Sequence, residues 1–406
     1  MRVPLIAILL ASLFACVPEG TDWQLSEVKA PAGEGGEPNL FVAETGQLYL
    51  SWVAYLDDTT DALLFAVWED GAWSAPREIA SGTDWFVNWA DFPSIAAYPG
   101  GGNVLAAHWL AKSAGGTYDY DVHISQSADG GQSWSPSFIP HRDGLAAEHG
   151  FVSMQPLSAD RMLAVWLDGR NTKTEEASTA GHEHGHGGPM SLRSAVFDPQ
   201  GELGEESELD DRVCDCCQTD LALTQAGPIA VYRDRSESEV RDIYCVRQID
   251  GRWTSPSPVY DDGWTITACP VNGPAVAAHG TAVAVAWFTA ANDRPTVKVA
   301  FSQDAGATFE VPIRLDDGRP EGRVDLEWLD EERIVVSWQE NTDAGAEIRY
   351  ALVSRKGKEG ASQVLTNTDP SRQSGFPILA RTTDKLWFAW TQVDSTTTLR
   401  TAFLKL

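Results

Sequence analysis

Leu48-Tyr49-Leu50-Ser51-Trp52 is a short apolar run that closes on an aromatic residue, and the chain returns to that pattern through its whole length. Equivalent runs end at Trp109, Trp166, Tyr232, Trp287, Trp338 and Trp390, separated in order by 57, 57, 66, 55, 51 and 52 residues. Each is followed by a polar loop and a second apolar strand, which begins near Leu63, Asp121, Leu192, Ile243, Val297, Ile348 and Leu399. Self-similarity at a period of about 50 residues is the signature of a repeat architecture, because one such unit cannot bury its apolar face alone.

Seven strand pairs predict seven blades, hence an all-β, seven-bladed β-propeller formed by residues 22–406. The seventh copy stops at Leu406 after its strand pair, and Trp23-Gln24-Leu25-Ser26-Glu27-Val28 has the pattern of the outer strand it lacks. The N-terminal strand is therefore expected to complete the last blade and protect its edge.

Ahead of that strand, Met1-Arg2 leads into an apolar run from Val3 to Phe14 that is too short to span a membrane as a mature helix and reads as an export signal over residues 1–15. Leu13-Phe14-Ala15-Cys16 resembles a bacterial lipobox, which implies lipidation at Cys16, a tether over residues 16–21 and membrane attachment in the cell envelope, facing the periplasm or the exterior. With 58 acidic against 30 basic residues, the formal charge of -28 makes nucleic acid and anionic lipid surfaces poor partners. An envelope protein or a glycan is the remaining class of partner.

Two turns carry a sharper motif. Ser127-Ala128-Asp129-Gly130-Gly131-Gln132-Ser133-Trp134 and Ser302-Gln303-Asp304-Ala305-Gly306-Ala307-Thr308-Phe309 both read S-x-D-x-G-x-[ST]-[WF]. In such a turn the Asp bonds backbone amides, the Gly adopts positive φ and the aromatic packs between strands. These residues resemble the Asp boxes (BNR repeats) of sialidase-like propellers. The resemblance covers essentially all of residues 22–406, makes a six-bladed ring the alternative architecture, and gives the Asp-box residues a structural role. It also implies that ligands sit around the axis, on the face opposite the Asp boxes, where the connections into each inner strand converge. For a glycoside hydrolase of sialidase type it implies arginines on that face, for which Arg170, Arg233 and Arg235 are the candidates.

The connections on that face hold most of the unusual chemistry. Cys214-Asp215-Cys216-Cys217 and Cys269 fall at the inner starts of two adjacent blades, His149 lies at the start of the third, and the long loop from Asp168 to Pro189 carries His182, His184 and His186. Thiolates with imidazoles form a soft-metal site for Cu(I), with Zn(II) second because Cys-x-Cys-Cys lacks the spacing of common zinc knuckles. A disulfide such as Cys214 or Cys216 to Cys269, or a thiol-redox centre, uses the same residues. Cys245, in mid-strand, reads as a small core residue, and His108, His123, His141 and His279 read as structural, in strands or on the opposite face. The leading expectation is a non-hydrolytic, copper-binding envelope lipoprotein; the alternatives are a sialidase-like or carbohydrate-binding propeller and a scaffold for another protein.

Overall fold

The computed structural model describes residues 23–101, 103–173 and 188–406. Seven antiparallel sheets follow one another around a ring. The seven sheets rule out the six-bladed alternative. Blade 1 is Gly35–Val42, Leu48–Tyr55 and Asp61–Glu69 with outer pieces Ala72–Trp73 and Arg77–Gly82, and it sets the pattern: the aromatic-ended run is the second strand from the axis and its apolar follower the third. Blade 2 has three strands, Ser94–Ala97, Leu105–Lys112 and Tyr120–Ser127, with an irregular outer segment that meets the third at the Ile124–Phe138 bridge and through Ser135. Blade 3 comprises His149–Ser158, Arg161–Asp168, Met190–Phe197 and Ser207–Val213.

In blade 7 the strands Ile378–Arg381, Lys385–Val393 and Thr397–Lys405 are completed by Leu25–Val28, paired in register from Leu25 opposite Leu404 to Val28 opposite Thr401. The ring thus closes as the sequence predicts. The second strands are apolar on both faces because each blade is packed between two others. Seven hydrophobic clusters result, each drawn from two neighbouring blades, including one between blades 7 and 1 that holds Trp52 and Trp387. The repeated aromatics Trp52, Trp166, Tyr232, Trp287 and Trp338 are all buried to within 1% exposure, so the periodic residue read from the sequence is the core of each interblade wedge.

The two S-x-D-x-G turns close by the same bonds. Asp129 Oδ1 accepts from the backbone N–H of Gln132 and Ser133 at 2.9 Å, and Asp304 Oδ1 accepts from Thr308 N–H at 2.9 Å. The Ser127 and Ser302 hydroxyls accept from the N–H of Gly131 and Gly306 at 2.8 and 2.9 Å. Trp134 meets Phe65 of the preceding blade edge to face at 6.0 Å, and Phe309 packs against the cluster between blades 4 and 5.

The inner strands enter from the opposite face through strained turns. Glu37, Phe151, Val271 and Arg323, at the entries to blades 1, 3, 5 and 6, have φ between 48° and 55°. Left-handed backbone at a β-branched Val is held there only by surrounding bonds. Asp91 Oδ1 accepts from Phe151 N–H at 2.7 Å and Asn272 Oδ1 from Arg323 N–H at 2.8 Å, so a side chain of one blade fixes the entry of the next.

Candidate functional site

The axis of the ring holds a cavity of about 660 Å³ lined by the inner strands. Its end on the inner-strand entry face is spanned by the chain itself. Trp89, from the connection into blade 2, stacks on Phe376 of the blade 7 entry at 5.8 Å and lies under the Arg323 guanidinium at 5.0 Å. Gln218 reaches from the entry of blade 4 to donate to the Ala90 carbonyl at 2.5 Å. Arg323 donates to Ser374 Oγ and to the Gly375 and Ser371 carbonyls. Side chains of the protein therefore bridge the position where the resemblance expects an axial ligand, and the reactive groups lie further out, between blades.

Between blades 3 and 4 the chain leaves Val213 and turns sharply, with Cys214 N–H bonded to the Arg233 carbonyl at 3.0 Å. This turn brings three sulfurs together: Cys214 Sγ lies 3.4 Å from Cys217 Sγ and 3.9 Å from Cys216 Sγ. Cys214 and Cys217 are buried, Cys216 is partly so, and Cys269 is exposed at the rim; all are free thiols in the structure. Arg241 donates to Cys214 Sγ at 3.2 Å and the Asn272 N–H to Cys217 Sγ at 3.4 Å. Burial opposes ionisation of Cys214, yet hydrogen bonds from Cys216 and Cys217 and the guanidinium charges of Arg241 and Arg233 hold it well below the ordinary thiol range. The cost falls on its neighbours: Cys216 is pushed up by its sulfur hydrogen bonds, and Cys217 by burial and by its bond with Cys214. Cys269 borders Cys216, whose hydrogen bond lowers it. Of the three, Cys214 is the thiol whose surroundings favour the thiolate.

The arginines of this region are committed to the protein. Arg233, 1% exposed, donates to the carbonyls of Asn272, Arg241 and Phe288 at 2.7 to 2.9 Å and sits over the Trp264 ring. Arg235 pairs with Glu239 at 2.7 Å and Asp215 at 3.3 Å. Arg170 is in a different cluster, on Asp168, Asp143 and Glu206 at 2.6 to 3.1 Å. The three arginines nominated for a substrate carboxylate do not form one binding group. Tyr232 is buried and donates to Asp210 Oδ2.

His149 begins the inner strand of blade 3 but its ring points away from the thiols, into that second cluster, where it donates from Nε2 to Asp143 Oδ2 at 2.9 Å. It stacks on His141 with ring centroids 3.6 Å apart and planes within 6°. Here one sequence reading is corrected. His141 is not in a strand or on the opposite face; it follows the outer segment of blade 2 on the same face as His149, and His149 is its partner. Asp121, Asp143 and Asp168 complete a group that spacing alone does not reveal, because its members come from the third strand and outer segment of blade 2 and the second strand of blade 3. Between the two clusters stands Glu148, which accepts from Tyr120 Oη at 3.0 Å and is raised by burial to about 8.

The remaining nominations divide simply. Cys245 is buried, 3.6 Å from Ser257 Oγ, as a core residue. His108 is buried and bonded to Ser94 Oγ at 3.0 Å. His182, His184 and His186, and Cys16, lie outside the described residues; the segment holding the three histidines leaves and returns where Gly188 N–H bonds the Asn171 carbonyl at 2.8 Å.

No protein-family model matches the chain, and no curated protein matches it in sequence. Among solved structures it is similar to a protein of unknown function from Dyadobacter fermentans, with a TM-score of 0.55 and 14% identity over 95% of this chain and 100% of that one. An α-L-arabinofuranosidase from Fusarium graminearum matches at a TM-score of 0.48 with 12% identity over 95% and 97% of the two chains. The NanB sialidase of Streptococcus pneumoniae matches at 0.47 with 10% identity over 94% and 70%. At such identities a likeness speaks to fold alone, and what the molecule does has to be argued from its own residues.

Proposed function

We propose that this chain is a non-hydrolytic propeller of the cell envelope, held to the membrane through a lipid on Cys16, that binds a soft metal ion at Cys214, Cys216 and Cys217. Copper in the Cu(I) state is the ion we assign. The observation that carries this reading is the convergence of three sulfurs within 4.8 Å of one another, two of them buried, beneath a guanidinium that donates to one. Thiolates are soft donors and favour Cu(I). A Cu(I) ion with three thiolates carries two negative charges, and Arg241 and Arg233 are two positive charges beside Cys214. Zinc prefers four ligands, and the fourth sulfur here, Cys269, is exposed at the rim. His182, His184 and His186 then act as donors that deliver or cover the ion.

The test is titration of the reduced, metal-free chain with Cu(I) under anaerobic conditions against a competing Cu(I) chelator, with thiols counted beforehand. One tightly held Cu(I) per chain is expected, weakened by more than about 100-fold in Cys214→Ser and in Cys217→Ser, since loss of even an outer-shell partner costs about 10- to 100-fold. A fully reduced chain that takes up no Cu(I) overturns the proposal. A Cys214–Cys217 or Cys216–Cys269 disulfide found in protein isolated from the envelope favours the stabilising role for these cysteines instead.

A further inference from the structure

We infer a second metal site, separate from the thiols and independent of the copper reading: a divalent first-row transition ion bound by His141, His149 and Asp121 between blades 2 and 3. His149 is fully buried and His141 only 6% exposed. Nδ1 of His149, both ring nitrogens of His141 and Oδ1 of Asp121 are buried without a hydrogen-bond partner. Unpaired polar atoms are costly in the interior, and four in one spot require a common explanation.

Their arrangement supplies one. His149 Nδ1 faces Asp121 Oδ1 at 3.4 Å, and His141 Nε2 faces the same oxygen at 3.7 Å. One donor atom from each of the three residues lies within 4.8 Å of the others, the spread of ligands around a single ion. On the far edge of the ring, His149 Nε2 donates to Asp143, which Arg170 holds at 3.1 Å. A histidine that gives one N–H to a carboxylate presents the other nitrogen as a lone pair, which is how metal-ligating histidines are oriented. Charge points the same way. Asp121, Asp143 and Asp168 crowd three carboxylates around the rings, Arg170 pairs with Asp143 and Asp168, and among the described residues no lysine or arginine pairs with Asp121. A divalent ion supplies positive charge at that oxygen. Two imidazoles and a carboxylate are the donor set of Zn(II), Co(II), Ni(II) or Fe(II).

The experiment uses the full chain with Cys214, Cys216 and Cys217 changed to Ser, stripped of metal and titrated with Zn(II). One Zn(II) per chain is expected, with affinity reduced by more than about 100-fold in Asp121→Asn and His141→Gln. No uptake, or uptake unchanged by both substitutions, overturns the site. Should a substituted chain fail to fold, the unsubstituted chain loaded with Co(II) decides. Paramagnetically shifted imidazole N–H resonances from two histidines support the site, and their absence overturns it.

Discussion

At the scale of single residues, the chain shows which local signals survive folding unchanged. The S-x-D-x-G turns are legible because the Ser and Asp bonds that close them are made within eight residues. Gly306 is the clearest case: its φ is +80°, and a Cβ there would lie 2.4 Å from Ile229 Cδ1 of the neighbouring blade. Gly306→Ala should therefore destabilise the fold by about 1 to 3 kcal/mol, combining backbone strain with overpacking, as read from urea unfolding. The cysteine trio was equally legible, since Cys-x-Cys-Cys places its sulfurs in one turn. Its electrostatics were not. Arg241, whose guanidinium donates to Cys214 Sγ, arrives from 27 residues later in the next blade. The place of His141 is hidden from the sequence for the same reason: it is set by stacking on His149 of another blade, and sequence distance carries no record of that contact.

At the scale of elements, the second and third strands of all seven blades could be read directly, because their apolar character follows from burial on both faces. Outer strands were harder. They are short, half-exposed and interrupted by proline, as in the outer segment of blade 2 around Pro136 and Pro140, where ladder hydrogen bonds give way to one bridge. The exception is Leu25–Val28, whose need follows from the missing fourth strand of the last copy and whose pairing with residues 401–404 is complete. Deleting residues 23–28 leaves the strand Thr397–Lys405 with a bare edge and uncovers the side chains that Trp23, Leu25 and Val28 pack against. The shortened chain should lose more than about 2 kcal/mol of stability and associate as its concentration rises. Calorimetry and light scattering read these two effects, and a monodisperse, equally stable product would show that the strand is dispensable.

At the scale of the whole molecule, acids lining the axial cavity couple the ring to pH. Burial raises Asp91 and Asp220 from 3.8 to about 7 and Glu327 from 4.5 to about 8, with Asp325 raised well above its ordinary value. Asp220 and Asp325 each accept from the backbone N–H of the next inner strand, at Val276 and Leu379. The folded chain keeps these protons where the unfolded chain has already released them. Their contribution to stability is therefore complete below the ordinary carboxylate values and is lost as pH rises through about 7 to 8. Thermal unfolding is expected at a falling temperature from about pH 4.5 to about pH 8 and to level off above it, with a shallower slope in Glu327→Gln. A flat profile in the parent chain would show that these acids ionise without cost.

The sequence alone determined the architecture: seven repeats of one apolar period, an N-terminal strand to close them, and a face on which cysteines and histidines gather. These follow from interactions local to a repeat or shared by every repeat, and a periodic signal accumulates over seven copies. The tertiary structure decided how the gathered residues divide. It bridged the axial mouth with Trp89, Phe376, Arg323 and Gln218, committed Arg170, Arg233 and Arg235 to protein acceptors, and separated the thiols between blades 3 and 4 from the imidazole pair between blades 2 and 3. Each outcome depends on contacts between blades, made once in the molecule, and a contact made once leaves no period to read.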